Sequence, residues 1–329
     1  MRAFTNRNPR DLKDALAVLA ETHRQGRSAV IVGGGSDLLG MVKERLIQPD
    51  VLVNLKAMRG FDQVTSQAGN LTIGGLTTLD SLSRNAKIRK QYTVLAEASE
   101  SVGTPQIRNV GTLAGNVCQR PWCWYLRNGF PCFKNGGQTC FSISGENQLH
   151  AIFGGGPSYI VHPSDTAPAL VALDAKFRIA GPTGERTMPA SEFFTLPRVD
   201  FKRENVLAPD EVLIEVQLPP AGEGARSTYH KVLDREAWTH AVVSAAIVLE
   251  MDRQVCRTAR IVLGGVAPIP WRLPKVESML AGQRITPGLA AAAGEEAVEG
   301  AKPLAKNGYK VGITQAIVKR TLLSLGTRA

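Results

Sequence analysis

Histidines and catalytic motifs are scarce in this chain. Its five histidines form no cluster with metal-ligand spacing, and neither GxSxG nor HExxH occurs in the 329 residues. Serine-hydrolase and zinc-protease chemistry are therefore not indicated.

Long apolar runs are also missing. No run reaches the ~20 residues that a membrane-spanning helix needs. Near the N-terminus, Lys13 and Asp14 interrupt any apolar core of a secretory signal. A cytoplasmic location is the default expectation, although co-export with a signal-bearing partner would place the chain in the periplasm.

Aromatic residues and acids are few relative to basic residues. Aromatics make up 6% of the chain, and 39 Lys and Arg against 29 Asp and Glu give a net charge of +10. Nucleic-acid binding typically needs basic clusters interleaved with aromatics, but here the basic residues are scattered. We interpret the excess as a solvated surface or a basic docking face for a less basic partner subunit.

Cysteine is rare but concentrated. Four of the five cysteines, spaced C-x4-C-x8-C-x7-C, lie in one short window: Cys118, Cys123, Cys132 and Cys140. Four thiolates are a complete ligand set for an iron–sulfur cluster or a structural zinc ion. Paired zinc knuckles are absent, which favours a 4Fe-4S cluster, and zinc remains the alternative. Two disulfides are not expected without an export signal.

A glycine run follows a strand-like segment near the N-terminus. Gly33 and Gly35 fit the first positions of a dinucleotide-binding GxGxxG loop, but Leu38 occupies the third, and no acid follows about twenty residues later. A Rossmann loop is therefore poorly supported. Three glycines before Ser36 could still present backbone N–H groups to an anion, and a tight strand-to-helix turn is the alternative.

A second small-residue loop, Gly111-Thr112-Leu113-Ala114-Gly115-Asn116, lies just before the cysteines. Two such loops could hold the two ends of a long dinucleotide. Asp165 could bind the hydroxyls of a ribityl chain or ribose, or it could cap the following helix.

The periodicity predicts an α+β protein. Asn8 and Pro9 indicate a helix start, with an apolar stripe from Leu12 to Leu19. The segments that follow alternate strand and helix. A linker at 219–224 precedes segments that alternate as antiparallel strands, and then three helices. We predict three units: 1–56, 57–220 with an irregular cysteine-containing insert at about 117–156, and 224–329.

Six motifs, taken in order, resemble the FAD-binding subunit of the xanthine dehydrogenase and aldehyde oxidoreductase family of molybdenum hydroxylases. They are AVIVGGGSDLL, LTIGGLTTL, IRNVGTLAGN, HPSDTAPALVALDAKF, EVLIEVQLPP and YHKVLDREAWTHAVVSAAIVLE. The resemblance spans nearly the whole chain. It implies a two-subdomain FAD-binding domain of the molybdopterin-dehydrogenase type and a small C-terminal α/β domain.

The cysteine window interrupts this pattern. In most of the family the GTLAGN-like loop leads directly to the PSD-like segment, whereas about forty residues intervene here. The insertion resembles two branches with an extra 4Fe-4S cluster, the periplasmic-type aldehyde oxidoreductases and the 4-hydroxybenzoyl-CoA reductases. The run CQRPWCWYLRN is more similar to the first.

The resemblance also implies site residues. Those that match the FAD site are Ile31, Val32, Gly33, Gly34, Gly35, Ser36, Asp37, Leu38 and Leu39 in the first loop, Thr112, Gly115 and Asn116 in the second, and Asp165, Leu213, Ile214 and Lys231 beyond them. Ala114 departs from the glycine usual in the family. Cys118, Cys123, Cys132 and Cys140 would hold the cluster.

The chain has no C-x4-C-x2-C run for a plant-type 2Fe-2S cluster and no room for a molybdenum domain. The resemblance therefore implies a heterotrimer, with the molybdenum cofactor on a large subunit and 2Fe-2S clusters on a small one. This chain would pass electrons through FAD to an acceptor that the sequence does not identify. A zinc-stapled nucleotide-binding scaffold without redox activity is the alternative.

Overall fold

The computed structural model describes residues 2–327, and these begin with a small parallel α/β unit. Three parallel strands lie in the order β1-β3-β2. The elements are β1 (Thr5–Arg7), α1 (Leu12–Arg24), β2 (Ala29–Val32), α2 (Leu38–Lys43) and β3 (Val51–Asn54). The predicted cap at Asn8 is wrong, because the carboxylate of Asp11 accepts the hydrogen bond from the Asp14 N–H at 2.8 Å and starts α1 there.

The second unit contains most of the helices and a five-stranded antiparallel sheet. Its elements are β4 (Val64–Gln67), β5 (Asn70–Gly74), α3 (Leu79–Arg84), α4 (Ala86–Gln91), α5 (Thr93–Glu100), α6 (Pro105–Val110), α7 (Leu113–Val117), α8 (Trp124–Arg127), α9 (Thr166–Ala172), β6 (Lys176–Gly181), β7 (Gly184–Pro189) and β8 (Val212–Leu218). The strand order is β4-β5-β8-β6-β7. The cysteine-containing insert contributes α8 and otherwise lacks long regular elements, as its prolines and glycines predict.

The C-terminal unit is an antiparallel sheet covered by helices. Its elements are β9 (Ala225–Val232), β10 (Val243–Asp252), β11 (Val255–Gly264), β12 (Trp271–Arg272), α10 (Pro274–Leu280), β13 (Gln283–Arg284), α11 (Pro287–Glu296) and α12 (Tyr309–Gly326). The main strand order is β12-β11-β10-β9, and β13 pairs with β11. The predicted antiparallel strands and three helices are present.

Three hydrophobic cores hold these units together, and each draws on more than one of them. The core under α1 includes Ile214 of β8. The central core includes Val248 of β10, and the C-terminal core includes Ile152 and Phe153 of the insert. The predicted α+β class is confirmed, while the predicted domain boundaries stay predictions.

None of the helices formed by residues 2–327 combines the length and apolar character that crossing a membrane would require.

Candidate functional site

The first glycine loop, between β2 and α2, contains successive backbone amides that make no hydrogen bond to the described part of the chain. Gly35 has a positive φ of +75°, which a residue with a Cβ rarely adopts. No backbone or side-chain hydrogen bond within residues 2–327 uses the N–H groups of Gly34, Gly35 and Ser36. Successive free amides of this kind form a concavity that binds anions.

The second loop packs directly on the first. A Cβ added to Gly34 would lie 2.1 Å from the Val110 carbonyl oxygen, so the two backbones touch. Thr112 caps α7, because its hydroxyl accepts a hydrogen bond from the Gly115 N–H at 3.2 Å. The loops predicted to act together are therefore neighbours in space.

Asn116 connects the second loop to the segment that contains Asp165. Its Oδ1 atom accepts hydrogen bonds from the hydroxyls of Ser164 and Thr166, each at 2.6 Å. Because all three side chains are buried, these hydrogen bonds fix the segment at the end of α7.

Asp165 uses its carboxylate for tertiary contacts and not as a helix cap. Ser164 caps α9 by accepting from the Ala167 N–H at 3.0 Å, and Asp165 makes no cap hydrogen bond. The Asp165 oxygens accept from the Tyr229 hydroxyl and the Lys231 ammonium, both at 2.7 Å. Burial raises the pKa of Tyr229 well above its usual value, and the negative charge of Asp165 adds to the rise.

A cavity of about 740 Å³ opens beside these groups. Its lining includes Ser36 and Asp37 of the first loop, Asp165, and His240 of the loop between β9 and β10. Anion-binding amides at one edge and a buried carboxylate in the wall fit an elongated phosphate-bearing ligand that also carries hydroxyls.

Not every predicted residue lines this cavity. Leu213 and Ile214 are buried in β8, where they pack in two different cores, and they are absent from the lining. The other predicted residues that are absent from the lining are Ile31, Val32, Gly33, Gly34, Gly35, Leu38, Leu39, Thr112, Gly115, Asn116 and Lys231. Their direct contact with a cofactor stays a prediction.

The insert is fastened to the first loop by Arg127. Its Nη2 atom donates to Asp37 Oδ1 at 2.7 Å and to the Arg120 carbonyl at 3.1 Å, and its Nε atom donates to the Pro121 carbonyl at 3.0 Å. The guanidinium lies 4.3 Å from the centre of the Trp122 ring, which lines the cavity. The inserted segment therefore forms part of the site wall.

A second anchor joins the insert to Glu204. Lys134 Nζ lies 2.7 Å from Glu204 Oε1, with both side chains buried, and Arg120 Nε lies 3.3 Å from Oε2. Burial alone would raise the pKa of Glu204, but the charges of Arg120 and Lys134 together hold it below its usual value. The ion pairs Arg127–Asp37 and Lys134–Glu204 thus attach the insert to the rest of the protein.

The cysteines of the insert lie in different surroundings. Burial raises the pKa of Cys123 to about 11, and the nearby Cys132 and Cys140 contribute to the rise. Cys118 packs against the central core, and burial alone raises its pKa to about 12. Within residues 2–327, no three His, Cys, Asp or Glu side chains are arranged to hold a metal ion. The predicted four-cysteine set is not assembled in this structure.

Sequence reasoning missed several of these residues. Tyr229, Arg127 and Glu204 each act through partners far along the chain, so no local spacing marked them. Composition offered a signal for Arg127, because the run CQRPWCWYLRN inside the insert contains two arginines and two tryptophans.

Comparison with known families matches the chain in two blocks. Residues 2–221 match the family described as the FAD binding domain in molybdopterin dehydrogenase. Residues 228–325 match the carbon monoxide dehydrogenase flavoprotein C-terminal domain.

Relatives match over almost the full chain. The aldehyde oxidoreductase FAD-binding subunit PaoB of Escherichia coli (strain K12) is 32% identical over 302 residues, covering 90% of each chain. The carbon monoxide dehydrogenase medium chain of Hydrogenophaga pseudoflava is 26% identical, covering 97% of this chain and 96% of its own.

Solved structures share the fold. A carbon monoxide dehydrogenase structure from Hydrogenophaga pseudoflava superposes with a TM-score of 0.77 at 24% identity, covering 98% of this chain and 97% of the other. Quinoline 2-oxidoreductase from Pseudomonas putida 86 gives a TM-score of 0.76 at 24% identity, covering 99% and 97%.

Proposed function

The chain belongs to the family of FAD-binding medium subunits of molybdenum hydroxylases, and from this premise we propose a specific role for it. It is the FAD- and 4Fe-4S-containing electron-transfer subunit of a heterotrimeric molybdenum-dependent aldehyde oxidoreductase. The observation that carries the FAD site is a row of three amides, at Gly34, Gly35 and Ser36, that make no hydrogen bond within residues 2–327 and end at a residue of the cavity lining, Ser36.

The residues of the site divide the work of binding FAD. The amides of the first loop bind the pyrophosphate, and Gly115 and Thr112 keep the second loop close to it. Asp165 accepts hydrogen bonds from the hydroxyls of the flavin chain, while Lys231 donates to the carboxylate and fixes its orientation. When bound, FAD supplies a carrier that accepts electrons from one redox partner and releases them to another.

The 4Fe-4S cluster is the finer part of the proposal. Its support is the sequence, in which four cysteines lie in one short window of the insert among the aromatic residues Tyr125, Phe130 and Phe141. Iron–sulfur is favoured over a zinc staple by the spacing C-x4-C-x8-C-x7-C, which lacks the paired knuckles typical of structural zinc sites.

The proposed partners are a molybdenum-cofactor large subunit and a 2Fe-2S small subunit. Relatives of this chain are medium chains and subunits of complexes by name. The net charge of +10 is suited to docking against less basic surfaces. Electrons would arrive from the 2Fe-2S subunit, pass through the flavin and leave to an acceptor.

The aldehyde branch is favoured over a 4-hydroxybenzoyl-CoA-reductase-like enzyme. The support is the 32% identity to the aldehyde oxidoreductase subunit, which also covers 90% of both chains. The reductase-like complex remains the second candidate, because the resemblance of the insert extends to both branches.

Co-purification and cofactor analysis test this proposal together. The tagged chain should bring down two subunits, one with molybdenum and one with 2Fe-2S clusters, and the isolated chain should release FAD on acid treatment. Wild-type chain that contains zinc, with no iron or labile sulfide, would contradict the cluster. Chain that purifies as a flavin-free monomer from its native host would contradict the subunit role.

A further inference from the structure

Three of the four tryptophans in the chain lie around the cavity. Trp122, Trp124 and Trp238 line it, and each is between 45% and 66% exposed. The fourth, Trp271, packs against Phe153 at the C-terminal core, with the ring centres 5.2 Å apart, and does not line the cavity. Exposed indole rings concentrated at one cavity indicate a ligand with an aromatic surface.

The Trp122 ring is held in place by other side chains of the protein. The Arg127 guanidinium lies 4.3 Å from the centre of the ring. The His240 ring centre lies 5.5 Å away, and the two ring planes are 36° apart. Within residues 2–327, Trp124 and Trp238 make neither kind of contact. A ring that is already fixed binds a ligand without the entropic cost of ordering the side chain.

Trp122 is connected to both parts of the site that would hold the cofactor. Arg127, which packs on its ring, donates to Asp37 of the first glycine loop at 2.7 Å. His240 belongs to the loop that joins β9 to β10, and two side chains of β9 donate hydrogen bonds to Asp165. Trp122 is therefore fixed between the first loop and the hairpin that orients Asp165.

The covalent structure of FAD determines which of its parts comes next to these groups. A ribityl chain joins the pyrophosphate of FAD to the isoalloxazine ring. On the proposed function, the amides of the first loop bind the pyrophosphate and Asp165 accepts from the hydroxyls of the ribityl chain. The part of FAD that continues beyond those hydroxyls is the isoalloxazine ring.

We propose that Trp122, which the insert supplies, contacts the isoalloxazine ring of FAD. This inference rests on the FAD site proposed above, and it gives the insert a role in flavin binding. A flat ring that covers Trp122 also explains why so large an apolar side chain is exposed at the cavity. An indole in contact with a flavin quenches the flavin fluorescence, because the excited flavin takes an electron from the indole and then returns it.

The test uses the full chain saturated with FAD and follows the lifetime of the flavin fluorescence. Wild-type chain should show a short lifetime that arises from the contact with Trp122. Trp122→Phe should lengthen this lifetime several-fold while keeping an aromatic ring at the site, because phenylalanine does not donate an electron to the excited flavin. Trp122→Leu should in addition weaken FAD binding by about two- to tenfold, the loss expected for one aromatic pair.

Two other tryptophans provide matched controls. Trp271→Phe replaces the tryptophan outside the cavity, and Trp124→Phe replaces the most exposed tryptophan of the lining, which is 66% exposed. Both variants should keep the short lifetime of the wild type, and circular dichroism checks that all the variants are folded.

The outcomes distinguish the contact from the FAD site itself. A wild type that does not retain FAD contradicts the proposed FAD site, and the contact fails with it. A wild type that retains FAD, combined with an unchanged short lifetime in Trp122→Phe, overturns the contact alone. Weaker FAD binding in Trp122→Leu with an unchanged lifetime would place Trp122 against the adenine, which also overturns the proposal.

Discussion

Asp165 shows at the scale of one residue how this site is built. Asp165 is 4% exposed, and its carboxylate accepts hydrogen bonds from two side chains of β9, Tyr229 and Lys231. These partners lie 64 and 66 residues away along the chain. The sequence alone left helix capping and ligand binding open, and the structure rules out the cap.

Replacing Lys231 with methionine should lower the free energy of unfolding more than the same replacement at an exposed lysine. The ion pair of Lys231 with Asp165 is buried, and removing one partner of such a pair costs about 3–5 kcal/mol. Lys275→Met, which removes a lysine that is 77% exposed, should change the free energy of unfolding by less than about 1 kcal/mol. Urea unfolding measures both, and equal effects would contradict the buried-pair account. The double variant Lys231→Met with Asp165→Asn should recover part of the loss.

Substitutions at Gly34 and Gly40 distinguish the effect of disturbing the loop contact from the effect of replacing a glycine elsewhere. A Cβ at position 34 would lie 2.1 Å from the carbonyl oxygen of Val110, the residue just before the second loop, so Gly34→Val should lower FAD occupancy and melting temperature together. At Gly40, inside α2, an added Cβ meets nothing within 4 Å. Gly40→Ala should therefore keep its FAD and gain about 0.4–1 kcal/mol of stability. Full flavin content in Gly34→Val would refute the loop contact.

His162 makes stability fall in acid. Burial lowers its pKa to about 4, from the usual 6.5. Between these values the unfolded chain binds a proton that the native chain does not, so the free energy of unfolding decreases as pH falls from about 6.5 to 4. The full contribution is roughly 3 kcal/mol. His162→Asn should flatten this part of the profile when unfolding is measured at pH 7 and pH 5. An unchanged slope would show that His162 does not titrate in this range.

At the scale of elements, the insert and the first glycine loop form one structure. Arg127 of α8 donates to Asp37, to two insert carbonyls, and packs on Trp122. The insert, which the sequence predicted to be irregular, is therefore held in a fixed position against the first glycine loop.

Arg127→Lys should loosen both the insert and the flavin. Lysine cannot reproduce the planar fork of donors, so acceptors become unsatisfied at a cost of about 1–3 kcal/mol. FAD should dissociate faster in a dilution experiment followed by flavin fluorescence. Arg24→Lys, at a side chain that is 74% exposed, is the matched control and should behave as wild type. Equal rates of FAD dissociation for the two variants would show that the insert does not stabilise the first loop.

The regular elements were predictable where burial imposes a period. The strands after residue 224 alternate or run apolar because one or both faces are buried, and β10 is a clear example. β7 was missed, since its residues are largely exposed and carry no apolar alternation. The glycine loops were recognised as anion-binding candidates, but their mutual contact and the anchors at Glu204 depend on tertiary packing that local sequence does not encode.

At the scale of the whole molecule, each hydrophobic core contains residues from more than one unit, so the three units form one framework for the site. The central core receives residues from β10, and the C-terminal core receives Ile152 and Phe153 of the insert. The cavity is lined by loops from every one of these parts. On the function proposed above, this framework would hold the flavin in place while the organic substrate reacts on a partner subunit.

Anaerobic reduction by an aldehyde tests this central claim most directly. The assembled complex and the isolated FAD-loaded chain receive the same aldehyde, and the flavin absorbance is followed in both. The account predicts that the flavin bleaches in the complex and stays oxidised in the isolated chain, because the chain accepts electrons only through its partner subunits. Bleaching of the isolated chain, or a flavin that stays oxidised while the complex turns over with a dye acceptor, would contradict it.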